Sequence, residues 1–177
     1  MAAFDFESRI VSIPDYPEPG VVFKDITPLF DDAEALHAVV DAIADHFADA
    51  GITKVAGAEA RGFMVGVPVA YRLGCGFVPA RKPGKLPRAT YSQSYELEYG
   101  TDTLEMHQDA LTPEDRVLVV DDLVATGGTA VATAKLVEQS GATIAGFSFI
   151  MELAFLNPRE IISQTYDQEV YTLVKVS

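Results

Sequence analysis

Apolar residues recur at helical spacing between positions 32 and 50. Five of them lie three or four positions apart along this stretch: Leu36, Val39, Val40, Ile43 and Phe47. That period is typical of an amphipathic helix. Asp31 or Asp32 can cap its start, and Gly51 can end it. The pattern therefore predicts a helix over 32–50.

Short apolar runs and further helical stretches alternate along the rest of the chain. Helices are predicted over 63–73 and 128–139. Buried strands are predicted over 54–58, 76–80, 116–122, 143–153 and 170–176. Strands that alternate with helices indicate a sheet with crossover connections. The predicted fold class is therefore α/β, with a mostly parallel sheet flanked by helices.

The middle of the chain interrupts this alternation. The segment 81–88 (RKPGKLPR) contains two prolines and a glycine, which exclude regular structure there. Alternating polar and apolar residues over 91–100 and 103–108 predict an antiparallel hairpin. We expect a single domain over 1–177, with a small N-terminal hood or flap at 1–30 and a projecting flexible loop and hairpin at 81–108.

The run from Val117 to Thr129 (VLVVDDLVATGGT) carries the candidate chemistry. Four aliphatic residues form a strand, and Asp121 and Asp122 follow at its carboxyl end, where open α/β sheets bind ligands. The loop that comes next, 125–129, consists of small residues and enters a helix. Its glycines and free N–H groups suit a phosphate, while the carboxylates suit vicinal hydroxyls. The run therefore favours a 5-phosphorylated ribose.

A purely structural interpretation of this run remains open. One aspartate could cap the helix, and the glycines could simply form a turn. That interpretation leaves unexplained two adjacent like charges, which repel each other and resist burial. The run is neither a P-loop nor a dinucleotide-binding glycine motif.

Charge and composition exclude several classes of function. The 177 residues contain 13 Lys and Arg against 26 Asp and Glu, a formal net charge of −13. Such a protein is unsuited to nucleic acid or to an anionic membrane surface. One cysteine and the lack of any long apolar segment indicate a reducing, cytoplasmic location.

Four of the 13 basic residues fall within eight positions, as Arg81, Lys82, Lys85 and Arg88. Cations concentrated on a Pro/Gly segment of an acidic protein favour a loop that closes over a polyanion. A solvated basic loop is the alternative.

The run 117–129 resembles the signature with which type I phosphoribosyltransferases bind 5-phosphoribosyl-1-pyrophosphate (PRPP). Other segments resemble the adenine phosphoribosyltransferases of that family, and the matches extend from about residue 14 to about 155. These segments are PGVVFKDITP (19–28), RGF (61–63), RKPGKLP (81–87) and LEYG (97–100). The resemblance implies the type I phosphoribosyltransferase fold and transfer of phosphoribose from PRPP to adenine, giving AMP and pyrophosphate.

The resemblance also implies roles for individual residues. The ribose hydroxyls would contact Asp121 and Asp122, and the 5-phosphate would contact Ala125, Thr126, Gly127, Gly128 and Thr129. Pyrophosphate would contact Arg61, Arg81 and Lys85, with Lys82 as a weaker candidate. Adenine would stack on Phe23 and meet backbone groups of Val22, beside the side chain of Lys24. Glu98 would be the catalytic acid or base, and Tyr99 would support the closed loop.

Mg²⁺ is expected to bind through PRPP and pyrophosphate without a direct protein ligand, and the family is usually homodimeric. Two departures affect the base site: Lys24 stands where arginine is common, and Asn157-Pro158 replaces a frequent glycine. A xanthine- or guanine-specific enzyme is one alternative, although such relatives typically carry aspartate at the position of Ala125. A non-catalytic PRPP-sensing regulator is the other. No basic DNA-binding module precedes residue 20, and the intact basic loop and Glu98 favour catalysis.

Overall fold

The computed structural model describes residues 4–96 and 100–177. The strands are β1 (Val11–Pro14), β2 (Val22–Asp25), β3 (Lys54–Ala58), β4 (Gly76–Ala80), β5 (Thr90–Glu96), β6 (Thr101–His107), β7 (Arg116–Val124), β8 (Thr143–Leu153) and β9 (Val170–Val176). The α-helices are α1 (Pro28–Asp31), α2 (Ala33–His46), α3 (Arg61–Leu73), α4 (Gly128–Gln139) and α5 (Pro158–Ser163). Two short 3₁₀ helices cover Glu7–Arg9 and Ala154–Leu156.

Five parallel strands form the central sheet in the order β4-β3-β7-β8-β9. Helices α2 and α3 pack on one face, with Val39, Val65 and Leu118 in the core. Helix α4 and the β5–β6 hairpin cover the other face, where Phe147 and Leu136 are fully buried. A parallel sheet covered on both faces confirms the predicted α/β class.

The strands predicted over 54–58, 76–80, 143–153 and 170–176 are confirmed, as is the helix over 128–139. The helix predicted over 32–50 is shorter. Asp32 caps it by accepting a hydrogen bond from the backbone N of Ala35, but it ends at His46. The amide of Phe47 turns back to the carbonyls of Asp45 and Ile43. Phe47 continues the apolar pattern because it is buried in the core, although it lies beyond the helix.

Strand β7 is two residues longer than predicted. Asp121 and Asp122 lie within it, and Asp121 is paired in register with Phe149 of β8. The predicted strand 116–122 already contained both acids, but it ended at Asp122 because charged residues are unusual in a buried strand. Here the strand continues to Val124, which is again buried.

Two small antiparallel sheets flank the central one. Strands β1 and β2 pair within the N-terminal segment that the sequence left irregular. Strands β5 and β6 pair as the predicted hairpin, with Tyr95 opposite Asp102. The segment 82–89 has no regular structure, while Arg81 bridges to Glu105 of β6.

Among the described residues, no helix is both long and apolar enough to cross a membrane.

Candidate active site

Asp121 and Asp122 lie near the carboxyl end of β7, where the strand meets the start of α3. Oδ1 of Asp121 accepts a hydrogen bond from the backbone N of Asp122 at 2.9 Å. Burial raises the pKa of Asp121 well above its ordinary value, and the neighbouring charge of Asp122 raises it further. Asp121 therefore keeps its proton to a higher pH than an exposed aspartate does.

Arg61, the first residue of α3, compensates the charge of Asp122. Its Nε donates to Oδ2 of Asp122 at 2.5 Å. The side chain of Asp122 is almost fully buried, whereas the side chain of Arg61 is 58% exposed. The hydrogen bond and the charge of Asp122 raise the pKa of Arg61, so the arginine stays charged. The exposed side chain of Arg61 remains available to an anion.

The loop after β7 has the geometry of a phosphate site. Gly127 adopts a φ of +93°, which disfavours any other residue type, and α4 begins immediately after it. A Cβ on Gly127 would lie 3.0 Å from the carbonyl oxygen of Pro158 in α5. A Cβ on Gly128 would lie 3.2 Å from the carbonyl oxygen of Glu96. The loop is thus enclosed between α5 and the hairpin, at the amino end of a helix.

A cavity of about 640 Å³ opens above this loop. Its wall includes all five residues from Ala125 to Thr129, together with both aspartates and Arg61. Among the described residues its charged lining consists of two cations and four carboxylates: Arg61, Lys82, Glu59, Asp102, Asp121 and Asp122. The cavity therefore brings together the predicted ribose and 5-phosphate residues.

From the basic loop, residues 81–88, Lys82 lies in this wall. It was the weaker candidate among the predicted pyrophosphate residues. Nζ of Lys82 donates to Oδ2 of Asp102 at 2.9 Å. Arg81 donates from Nε to Glu59 at 2.7 Å. Glu59 lies in the wall, whereas Arg81 does not. Lys85 is exposed and also lies outside it.

A second cavity, of about 270 Å³, lies under the β1–β2 ribbon. Tyr16 and Phe23 line it with their rings edge to face, 5.3 Å apart between centroids. Phe23 is 37% exposed, so it is not an ordinary core residue. Arg61 and Asp122 line this cavity as well as the larger one. The Arg61–Asp122 pair therefore stands where the two cavities meet.

The other predicted base-site residues, Val22 and Lys24, contribute less to the smaller cavity than Phe23 does. Val22 is exposed on β2, and Nζ of Lys24 donates to the Ser12 hydroxyl at 2.8 Å. Lys24 still borders the smaller cavity. Glu98 and Tyr99, predicted as the catalytic residue and its support, lie outside the described residues.

Sequence reasoning missed several residues of the two cavities. Glu59, Tyr95 and Asp102 line the larger cavity, and Ile13 and Tyr16 line the smaller one. Tyr95 and Asp102 are neighbours across the hairpin. Asp102 falls between the two predicted strands, 91–100 and 103–108, so the sequence pattern did not pair them. No pattern in the sequence marks Tyr16.

Comparison with known proteins gives a consistent family assignment. The family described as "Phosphoribosyl transferase domain" matches residues 27–158. The adenine phosphoribosyltransferase of Desulfitobacterium hafniense (strain Y51) is 54% identical over 175 residues, which cover 99% of each chain. The crystal structure of the same enzyme from Thermoanaerobacter pseudethanolicus superposes with a TM-score of 0.91 at 47% identity, covering 97% of this chain and 98% of that one.

A structure from Giardia lamblia, described as an APRTase complexed with 9-deazaadenine, gives a TM-score of 0.92 at 36% identity. It covers all of this chain, and this chain covers 99% of it. Similarity at this level over nearly the whole length shows a common family and not only a common fold. The chain belongs to the adenine phosphoribosyltransferase family.

Proposed function

We propose that this protein transfers the 5-phosphoribosyl group from PRPP to N9 of adenine, forming AMP and pyrophosphate in purine salvage. The observation that carries this conclusion is the meeting of two cavities at Arg61 and Asp122. One cavity is suited to a phosphorylated sugar, and the other is lined by aromatic rings. A reaction that joins a flat base to a sugar phosphate requires both, with the reacting atoms at their junction.

PRPP would lie in the larger cavity with its 5-phosphate in the loop 125–129. The N–H groups at the start of α4 and the hydroxyls of Thr126 and Thr129 would bind the phosphate oxygens. Asp121 and Asp122 would accept hydrogen bonds from the ribose hydroxyls. Arg61, whose exposed side chain lies beside Asp122, would contact the pyrophosphate.

Departure of pyrophosphate from C1 leaves positive charge on the ribose ring, and the nearby carboxylates stabilise that charge. Arg81 and Lys85 lie outside the cavity wall of the described residues. Binding to pyrophosphate would therefore require Arg81 and Lys85 to move toward the cavity, as residues of a closing loop do. Closure would exclude water and strengthen each of these interactions.

Adenine would occupy the smaller cavity, against the ring of Phe23. The backbone of Val22 would bind its edge, and Lys24 would lie beside it. A backbone carbonyl accepts a hydrogen bond from the exocyclic amine of adenine but repels the oxygen of a 6-oxopurine. Glu98 would exchange the proton of the base, with Tyr99 supporting the closed loop.

Mg²⁺ fits this site as a cation carried by the substrate. Four carboxylates and two cations line the described part of the cavity, so a polyanionic substrate needs additional positive charge there. When bound to the pyrophosphate oxygens, Mg²⁺ neutralises the leaving group. No cluster of three or more His, Cys, Asp or Glu residues that could hold a metal occurs in the described part of the chain. Activity should disappear with a chelator and return with added Mg²⁺.

We further infer that the protein forms a homodimer and is located in the cytoplasm. Met64, Val67 and Tyr71 form an exposed apolar stripe on α3, and Tyr71 is 88% exposed. Such a stripe is typical of a surface that a partner covers. Light scattering should give twice the chain mass of 19.1 kDa, and Tyr71→Asp should lower it. The single cysteine is consistent with a reducing compartment.

A panel of bases tests the proposed activity. Adenine, hypoxanthine, guanine and xanthine are each incubated with labelled PRPP and Mg²⁺, and nucleotide formation is measured. We expect AMP from adenine and at least about 100-fold slower reaction with the 6-oxopurines. The double variant Asp121→Asn with Asp122→Asn, purified in the same way, controls for contaminating enzymes. Preference for guanine or xanthine would reassign the substrate, and PRPP binding without any product would indicate a sensor.

A further inference from the structure

Asp102 lies on β6 in the wall of the larger cavity. A carboxylate in this position faces a substrate that carries both phosphate and pyrophosphate groups. Like charges at such short range repel, and the repulsion is stronger where water is excluded. A carboxylate here weakens PRPP binding unless it places a positive charge at the same point.

The contacts of Asp102 supply that charge. Oδ2 accepts a hydrogen bond from Nζ of Lys82 at 2.9 Å. Oδ1 accepts one from the backbone N of Thr103 at 2.8 Å, which fixes the carboxylate. The hydroxyl of Tyr95 lies 3.5 Å from Oδ2. Lys82 lowers the pKa of Asp102, and Asp102 raises the pKa of Lys82, so both groups stay charged.

Lys82 needs such a partner because its backbone gives it little support. Arg81 is held to Glu105 by two backbone hydrogen bonds, but Lys82 begins the irregular segment with Pro83 and Gly84. Its side chain is 54% exposed, against 23% for Asp102. A free lysine at this exposure samples many rotamers, and ordering it on binding costs free energy.

Tyr95 connects this pair to the phosphate loop. Cδ2 of its ring would lie 3.4 Å from a Cβ on Gly128, so the ring packs directly on the loop. The residue also faces Asp102 across the hairpin. Asp102 is therefore fixed relative to the place where the 5-phosphate would bind.

We propose that Asp102 is a positioning residue that holds the Lys82 ammonium in the cavity wall, ready to contact the phosphates of PRPP. This inference rests on the proposed function. Asp102 touches no reacting atom, and its net effect on PRPP binding depends on Lys82. With the lysine present, the carboxylate orders a cation; without the lysine, it only repels the substrate.

A double-mutant cycle tests this dependence. The Michaelis constants for PRPP and for adenine are measured for the wild type, Asp102→Asn, Lys82→Met and the double variant. Asp102→Asn should raise the KM for PRPP by about 2- to 10-fold, the cost of ordering one flexible side chain. The KM for adenine should not change. In the Lys82→Met background, the same substitution should leave the KM for PRPP unchanged or lower it.

The matched control is Asp109→Asn. Asp109 is paired with Arg88 at 3.0 Å, beyond the end of β6 and outside the cavity wall. It should leave both Michaelis constants unchanged. Melting temperatures should be similar for all these variants because partly exposed ion pairs contribute little to stability.

Three results would overturn the proposal. Asp102→Asn could raise the KM for PRPP equally in both backgrounds, which would show that Asp102 acts independently of Lys82. It could lower that KM with Lys82 present, which would show that the carboxylate repels the substrate. It could also change nothing. Calorimetric titration of the four proteins with PRPP and Mg²⁺ reports the same cycle without turnover, so a failure of the proposed reaction is distinguishable.

Discussion

Asp121 packs directly against Gly62, because a Cβ at residue 62 would lie only 2.8 Å from Oδ1 of Asp121. This close approach sets the start of α3 against the end of β7. It also places Arg61, one residue earlier, beside Asp122. The glycine of the RGF segment thus allows the helix carrying the cation to approach the strand carrying the carboxylates.

Replacing this glycine should damage the site specifically. In Gly62→Ala the new methyl group must displace Asp121 or shift the helix, so the KM for PRPP should rise by roughly 10-fold or more. Steady-state kinetics with varied PRPP measures the effect. Gly66→Ala is the matched control on the same helix, since its Cβ would meet the ring of Phe77 at 2.5 Å. Both variants should lower the melting temperature, but an equal rise in KM for Gly66→Ala would contradict the site-specific explanation.

Asp121 should destabilise the folded protein at neutral pH. Its pKa is raised by burial and by Asp122, so the unfolded chain releases this proton at a lower pH than the folded chain does. The free energy of unfolding therefore falls as pH rises above about 4. Asp121→Asn, which removes the ionisation, should raise the melting temperature at pH 7.5 while reducing turnover.

The gain should shrink toward pH 4, close to the unfolded-state pKa of Asp121, because the ionisation that destabilises the folded state is then largely suppressed. Thermal melts at the two pH values measure it. Asp122→Asn provides the contrast because it removes the partner of Arg61, so no gain in melting temperature is expected. A gain for Asp121→Asn that is independent of pH would exclude the electrostatic cause.

Glu98 should affect turnover more than binding. A group that exchanges the proton of the base acts in the transition state, so Glu98→Ala should lower kcat by about 100-fold or more with little change in the KM for PRPP. Glu105→Ala, on β6 and outside the cavity wall, is the control. Kinetics in which only the Michaelis constants rise would contradict the acid–base role.

The sequence predicted the sheet well because its strands are buried on both faces and therefore form continuous apolar runs. Val117 to Val120 are an example, and all four are buried. The β1–β2 ribbon was missed because each of its strands is only four residues long, too short for a pattern to mark a strand, and the residues from Val11 to Pro14 are all exposed. Tyr16, which lines the smaller cavity, lies in the connection between these two strands.

The phosphate loop was predictable because its requirements are local. A positive φ needs a glycine, and the approach of a phosphate to the start of a helix needs small residues. The pairs Glu59–Arg81 and Asp102–Lys82 join residues 22 and 20 positions apart. Such contacts depend on how the loop lies against the hairpin, and no local spacing encodes that. The sequence therefore identified the cations but not the carboxylates that hold them.

Arg159 joins the carboxyl end of β8 to the helix behind the phosphate loop. It donates to both carboxylate oxygens of Glu152, at 2.8 and 2.9 Å, and to the carbonyl oxygen of Val170 at 2.7 Å. Burial alone would raise the pKa of Glu152, but the hydrogen bonds and charge of Arg159 hold it below its ordinary value. This pair stabilises the fold above the unfolded-state pKa of about 4.5, and the contribution is lost as pH falls through the folded-state value.

Arg159→Met should leave the 3%-exposed Glu152 charged with only weaker partners. We expect a loss of about 3 kcal/mol, at the lower end of the cost of breaking a buried ion pair because Arg159 itself is 39% exposed. Urea unfolding at pH 7 measures it, and the loss should be smaller at pH 4.5. Adding Glu152→Gln should restore part of the stability, since a neutral amide is easier to bury. The KM for PRPP should also rise, because α5 packs on Gly127. An equal loss of unfolding free energy at both pH values would show that packing, not charge, is responsible.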